Sequence, residues 1–484
     1  MESRKLSTRV RNLALNSVVF ALNAIATKLI SFILLPLYTA HLTAAEFGLT
    51  DMSLTVISLV FPLATLSLVE AAVRYMISDR RDADEYAVIS FSFVLISILL
   101  VVIASPLLDL PAFGGLGKYK SLFFLAYASS AFLSYFGEVA RGAGEIKIIP
   151  ICATLSSLTT LGITLYSINS GEYRIEDYFI SVSMGPVLAS AVYLMFGGFL
   201  KKLKAGYVKL VKDLSHGRSM LCQMLRYSLP LVPNSLFWWM GTSISRFFIT
   251  GILGISATGL YAAAGKIPNL LNALYSVFLQ AWQLSVFEEN DEKAKCDFFE
   301  SVFAVLQAVM LIGCSLMALA APALAYVLIK GEAYKAWPLI GVMLISAVGN
   351  IFSSFYGTVF TSTMNTSCIM TTTAKGSLCC VVLTPILTTS LGLSGACIAS
   401  ALTQILVLVS RMRRARMLVP FDQRLRYLIP SMLLLAIQAS VMIIDFDKLW
   451  IPSVICLFFI VMLQFRSLLK MTSNCKKSLS IKAR

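Results

Sequence analysis

Lys28, Arg246, Lys266 and Lys375 fall well inside long apolar stretches of a chain that otherwise keeps charge out of such stretches. A charged side chain at the centre of a bilayer costs at least about 2.5–3.5 kcal/mol by insertion scales, so a retained one ordinarily faces a cavity. The chemistry open to ammonium and guanidinium groups in such a place is recognition of an anion, and a guanidinium can grip a phosphate with two parallel N–H bonds. These four residues are therefore the candidate anion-binding set. Lys28 lies near the middle of its stretch, and Lys266 and Lys375 lie roughly ten residues into theirs, too deep for easy snorkelling. Arg246 is nearer the end of its stretch, from which a long side chain can reach the interface. For Lys28 and Lys266 the ordinary alternative is an internal salt bridge or a carbonyl contact.

Glu70 is the one acid placed clearly inside an apolar stretch, with Arg74 one helical turn beyond. An i,i+4 ion pair is the ordinary reading; binding of a coupling proton or cation is the other. His41 and His216 both fall in connecting segments, so an intramembrane histidine relay is not expected. Asn23 and Asn234 either hydrogen-bond between helices or line the cavity. The ten cysteines show no metal-ligand spacing. They read as small apolar residues, with no disulfide framework, no metal site and no cofactor.

The elements that must position these residues are membrane helices. Of 484 residues, 58% are hydrophobic and 13% charged, against about 25% charged in a soluble domain. Fourteen apolar runs approach or exceed the roughly 20 residues a spanning helix needs: 14–39, 49–73, 87–108, 121–140, 148–168, 178–200, 227–250, 257–287, 299–329, 337–360, 367–389, 392–410, 427–444 and 449–466. Lipid offers no partner for open backbone groups, so these runs must be helical. With this assignment thirty of the forty Lys and Arg residues fall on one side and six on the other, the remaining four being the intramembrane cations. By the positive-inside rule the rich side is cytoplasmic and both termini lie there. The net charge of +15 then reads as topology and contact with anionic lipid, with no nucleic-acid partner. The first run is longer than the 7–15 apolar residues of a signal peptide and carries Lys28, so it is expected to stay as a helix.

The organisation expected is an N-terminal lobe of six helices (1–200), a cytoplasmic amphipathic linker (201–226), a C-terminal lobe of helices seven to twelve (227–410), and helices thirteen and fourteen with a basic tail (411–484). In the linker, Leu203, Tyr207, Leu210 and Leu214 share one helical face while Lys202, Lys209 and Lys212 lie around it, a pattern suited to the inner leaflet. With an offset of 211, Asn23 falls on Asn234 and Gly48 on Gly259, which suggests two related lobes around a central path.

Several local patterns carry a family resemblance. They are Leu35-Pro36-Leu37-Tyr38 with Leu42-Thr43-Ala44-Ala45-Glu46-Phe47-Gly48, then Leu68 to Tyr75, and Ser245-Arg246-Phe247-Phe248-Ile249 through Gly259-Leu260-Tyr261. Gly331 to Trp337 and Gly392-Leu393-Ser394-Gly395-Ala396-Cys397-Ile398-Ala399 follow in order. Together they resemble the polysaccharide (O-antigen type) flippases of the multidrug/oligosaccharidyl-lipid/polysaccharide (MOP) exporter superfamily. One departure is Ser245, where that family often has Asp before the arginine. The resemblance implies an all-α polytopic transporter with two six-helix lobes plus two C-terminal helices. It implies a cargo of undecaprenyl-diphosphate-linked oligosaccharide, moved by alternating access from the cytoplasmic to the outer leaflet of a bacterial inner membrane. It also implies a single working chain, surrounded by membrane lipids, with a polysaccharide polymerase and a chain-length regulator as partners. Trp238, Trp239, Tyr261 and Trp282 become candidates for stacking on sugars, against ordinary packing.

Two related functions stay open: a lipid II-type flippase, and a drug/cation antiporter, which is disfavoured because buried acids are scarce here. An integral membrane glycan polymerase or glycosyltransferase is the rival from another class. The outer segments are short and carry no paired carboxylates or nucleophile–base set, so an enzyme is not expected.

Overall fold

The computed structural model describes residues 27–288, 292–363, 365, 367–444 and 450–482. Among these residues the chain is helical, with short 3-10 turns and no strand. The helices are α1 (27–41), α2 (Ala44–Ala64), α3 (Leu68–Ser78), α4 (Ala83–Ile103), α5 (Lys120–Ala143), α6 (Ile148–Ser170), α7 (Ile175–Phe196), α8 (Phe199–Lys212), α9 (Leu214–Ser228) and α10 (Leu231–Ser243). They continue with α11 (Ser245–Leu253), α12 (Ile255–Lys266), α13 (Asn269–Glu288), α14 (Glu292–Leu319), α15 (Ala321–Leu328), α16 (Ile340–Ser362), α17 (Ser367–Leu418), α18 (Leu425–Ile444) and α19 (Trp450–Lys482). The chain is an all-α polytopic membrane protein.

Ten described helices are long and apolar enough to cross a membrane, where fourteen spans were expected, and the differences have local causes. The first expected span begins outside the described residues. The second is broken after Pro62: Leu66 and Ser67 take left-handed backbone (φ 52° and 51°), and α3 starts afresh at Leu68. Two consecutive non-glycine residues there cost of order 1–3 kcal/mol each, so the break is held by its surroundings. The expected 227–250 span is divided between α10 and α11, and 257–287 between α12 and α13. The latter break coincides with Pro268, which cannot supply a helical N–H. The two runs at 367–410 are two helices, the limbs of α17, which meet at Gly392 (φ 61°, ψ −142°) as expected. That conformation is open essentially to glycine alone.

The starts of several helices follow from their caps. Thr43 and Glu46 form a reciprocal capping box at α2, with Thr43 N–H donating to Glu46 Oε2 at 2.9 Å and Glu46 N–H to Thr43 Oγ1 at 3.3 Å. The Thr-x-x-Glu in the first motif is thus a helix start. Asp213 caps α9 by accepting from the His216 N–H at 2.9 Å. These hydrogen bonds to the charged form hold the exposed Asp213 carboxyl below the usual aspartate range, the His216 backbone bond first and the Ser215 hydroxyl second.

The helices form two compact units, residues 1–239 and 240–484. In the first, α7 packs against α5 and α6, α3 against α4 and α5, and α2 against α4 and α7. Its core is aromatic: Phe123, Tyr127, Tyr135, Phe136, Phe179, Tyr193 and Phe199 are fully buried, and Tyr135 donates to the Ala87 carbonyl at 2.7 Å. α8 lies along α4, where Gly206 approaches the Asp84 carbonyl so closely that a Cβ would overlap it. Lys209 completes that seam with Glu85 Oε1 at 3.0 Å. On α8, Leu203 and Leu210 are half-buried while Leu200, Tyr207, Val208 and Val211 are exposed, as is Leu214 at the start of α9.

In the second unit α16 is the central helix, packed against α13, α14, α17 and α18. Phe299, Phe303, Phe352, Phe355, Tyr356 and Phe421 interlock around it. α18 and α19 are tied to α14 by side-chain amides. Gln307 Nε2 donates to Gln464 Oε1 (3.2 Å), Gln464 Nε2 to Ser431 Oγ (2.8 Å), and Ser315 Oγ to Gln438 Oε1 (2.8 Å). All five side chains are buried. Arg424, 3% exposed, pairs with Glu300 at 2.9 Å and donates to the Ser467 carbonyl at 2.7 Å. Every described cysteine is a free thiol.

Candidate functional site

The four sequence-selected cations occupy four different helices. Lys28 is in the first described turn of α1, exposed, and makes no hydrogen bond or ion pair among the described residues. Arg246 is the second residue of α11, half-buried, its guanidinium carbon 5.9 Å from the centroid of Tyr261 and its Nη1 3.4 Å from the Thr242 carbonyl. That is the outer limit of a cation–π contact. Tyr261 is buried on α12. The adjoining hydroxyls, Thr250 and Thr258, are 2.7 Å apart and bridge α11 to α12.

Lys266 ends α12 rather than sitting inside an unbroken span. It is half-buried, and the negative end of the helix dipole favours a cation there by about 0.3–1 kcal/mol. Lys375 is exposed on α17 and makes no hydrogen bond or ion pair among the described residues. α11 packs against both α12 and α17, so Arg246 rides on the helix between those carrying Lys266 and Lys375. Asn234 is exposed on α10, and Asn23 lies outside the described residues.

The Glu70–Arg74 ion pair is not formed. The Arg74 guanidinium instead stands 4.9 Å from the Tyr227 ring centroid. Glu70 is in the first turn of α3, just after the break at Leu66–Ser67. Sequence periodicity reads straight through that break, whereas the positive end of a new helix dipole is a favourable place for a carboxylate without an arginine. Of the aromatic candidates, Trp239 donates to the Thr55 carbonyl and the Ser58 hydroxyl, each at 3.2 Å. Trp282 donates to Thr358 Oγ1 at 3.0 Å and stacks on Phe355. Both are committed to packing, while Trp238 is 62% exposed.

Sequence reasoning missed Arg411. It was assigned to a cytoplasmic loop, but α17 continues to Leu418 and Arg411 is inside it. Its Nε donates to Thr372 Oγ1 (3.2 Å), Nη2 to Thr373 Oγ1 (3.1 Å) and Nη1 to the Ser353 carbonyl of α16 (2.8 Å). The unbroken Thr371-Thr372-Thr373 run was the signal available.

The arrangement is one of long apolar helices that carry cations along their length. The solved structures similar to this chain have the same architecture. An inward-facing multidrug resistance MATE family transporter of the MOP superfamily superposes with a TM-score of 0.65 at 16% identity, covering 83% of this chain and 94% of that one. The lipid II flippase MurJ in an inward closed conformation gives 0.64 at 14% identity, covering 96% of this chain and 99% of that one. A MOP superfamily transporter from Pyrococcus furiosus, described as having a binding pocket of reverse polarity, gives 0.53 at 17% identity, covering 84% and 95%. No curated protein matches the chain.

The fold is therefore one that this chain shares with MOP superfamily transporters. The chain belongs to the polysaccharide biosynthesis protein family, whose model matches residues 13–283.

Proposed function

We propose that this protein moves polyprenyl-diphosphate-linked oligosaccharide repeat units, of an O-antigen or another surface polysaccharide, from the cytoplasmic to the outer leaflet of a bacterial inner membrane by alternating access. The observation that carries the reading is the state of the cations. Lys28 and Lys375 are exposed on apolar helices and make no ion pair among the described residues, so each is available to an anionic cargo. A diphosphate bearing a polar glycan cannot cross hydrocarbon unaided, because unpaired charged and polar groups are costly there. Fixed cations in apolar helices lower that cost for an anion and not for a cationic drug. The thirty-to-six division of Lys and Arg supports cytoplasmic termini. A polymerase and a chain-length regulator are the partners such a step would feed, and the chain would work as a monomer among membrane lipids.

The test is translocation of a fluorescently labelled polyprenyl-diphosphate oligosaccharide in proteoliposomes, comparing the intact protein with a Lys28→Ala, Lys375→Ala double variant. Transport by the intact protein and its loss in the variant is the expected result. Undiminished transport by the double variant would remove the argument from charge. The likeness to the lipid II flippase along 96% of this chain favours one second reading, a peptidoglycan precursor as cargo. Lipid II offered in competition separates the two: it should leave transport of the oligosaccharide lipid unchanged.

A further inference from the structure

α17 doubles back at Gly392, so that Arg411 and Arg414 on its second limb meet Thr371, Thr372 and Thr373 on its first. The hydroxyls of Thr372 and Thr373 donate to the Cys368 and Ile369 carbonyls, at 2.8 Å each, so toward Arg411 they only accept. Arg414 Nη1 donates to Thr371. No carboxylate accompanies Arg411 among the described residues; every group it touches is neutral. A guanidinium carries five N–H donors, and three are engaged here, leaving two.

Beside those donors the site is open. Gly357 lies one turn along α16 from Ser353, and a Cβ built on it would meet Arg411 Nη1 at 3.4 Å and no other atom within 4 Å. From α13, Tyr275 brings a hydroxyl into electrostatic reach of Arg411. Tyr275 is 4% exposed, and its hydroxyl faces the Ser354 side chain without a hydrogen bond of good geometry. Buried hydroxyls ordinarily have a partner, and an uncompensated guanidinium is costly to bury. An anion with several acceptor oxygens answers both deficits at once. Lys375 stands one turn beyond Thr371 on the same limb, on the same face.

We propose that Arg411, Arg414 and Tyr275 form a phosphate-class anion site at the end of the second unit where α16 passes into α17, with Lys375 beside it. Its occupant would be either the diphosphate of the cargo, which rests on the function proposed above, or the head group of an anionic phospholipid. A purely structural clamp would need only the three neutral acceptors. It gives no role to the two remaining N–H groups.

The experiment titrates inorganic diphosphate into the full-length protein in phosphatidylcholine nanodiscs and follows binding together with the thermal midpoint. Arg411→Gln should weaken binding about tenfold or more, the effect of a charge-assisted hydrogen bond. Tyr275→Phe should weaken it roughly threefold while moving the midpoint without ligand only slightly, since the hydroxyl it removes has only the poorly aligned Ser354 side chain to lose. A structural role alone would leave diphosphate binding unmoved by Tyr275→Phe. Absent binding, or binding insensitive to both substitutions, overturns the proposal. A second set of discs containing phosphatidylglycerol separates the sources. If lipid head groups occupy the site, diphosphate binds more weakly there to the intact protein but not to Arg411→Gln; equal affinity in both discs assigns the site to the cargo. Translocation by a protein that binds no diphosphate at Arg411 would sink this site and leave the transport reading standing. Arg411-dependent binding without translocation would do the reverse.

Discussion

The two units handle positive charge differently. In the first, cations meet carboxylates at exposed or half-exposed edges: Lys209 with Glu85, His216 with Asp82, Lys202 with Glu145, Arg141 with Glu138. Pairs of this kind, wet on at least one side, contribute little stability. In the second, Arg411 and Arg414 are held by threonine hydroxyls and a backbone carbonyl, and Arg246 by a tyrosine ring and a carbonyl. Among the described residues only Arg424 is sunk against a carboxylate, Glu300. A cation whose partner is an acid has spent its charge. One fixed by neutral groups keeps its geometry and its field, and remains able to bind an anion.

The sharpest test of that contrast is Arg424, whose buried pair is structural. Arg424→Ala should lower unfolding stability by about 3 kcal/mol, the cost of leaving a carboxylate without its buried partner, read as a fall in the thermal midpoint in detergent. A loss no greater than that of an exposed pair would break the distinction. Next comes Gly392→Ala, expected to cost about 1–3 kcal/mol for the forced backbone and to reduce transport, because the bend sets Arg411 opposite its threonines. Smaller again is Arg246→Lys, which keeps the charge but gives up the planar contact with Tyr261, worth about 0.5–1 kcal/mol. Transport in proteoliposomes should drop about threefold with the protein amount unchanged.

The smallest effect belongs to the first unit. Glu85→Gln should change stability by no more than about 0.5 kcal/mol, because Lys209 is half exposed. Its signature is in pH. The hydrogen bond to Glu85 raises the Lys209 ammonium above its ordinary value. The contribution is therefore fully present below the ordinary lysine range and is lost as pH rises through the raised value. Hydrogen exchange of α8 should quicken at that upper end in the intact protein, and the Glu85→Gln variant should show no such step. Asp213 has the opposite sign: its cap on α9 holds above the ordinary aspartate range and weakens as pH falls through the lowered value.

Much of the fold was legible because apolar run length and the sidedness of Lys and Arg are one-dimensional properties. The breaks were harder. Pro268 marks one of them in the sequence, but Leu66 and Ser67 carry no residue type that announces left-handed backbone, and reading through them produced the Glu70–Arg74 pair that is not formed. The four cations were legible as charges in apolar surroundings; their partners were not. Arg411 touches Ser353 and Thr372, 58 and 39 residues away, and no local periodicity encodes such a meeting. It was also lost to a boundary: ending a helix at 410 removed from consideration a residue that the helix carries in its last turns.

The amides of Gln307, Gln438 and Gln464 make the last two helices indispensable in a way their position at the end of the chain does not suggest. A chain truncated after α17 would present Gln307 and Ser315 to hydrocarbon with nothing to bond, at several kcal/mol for each such group. Such a product would be a substrate for membrane proteolysis before it could be assayed. Nonsense mutations late in this gene should therefore behave as null alleles, and a reporter domain is better fused beyond α19 than in place of it.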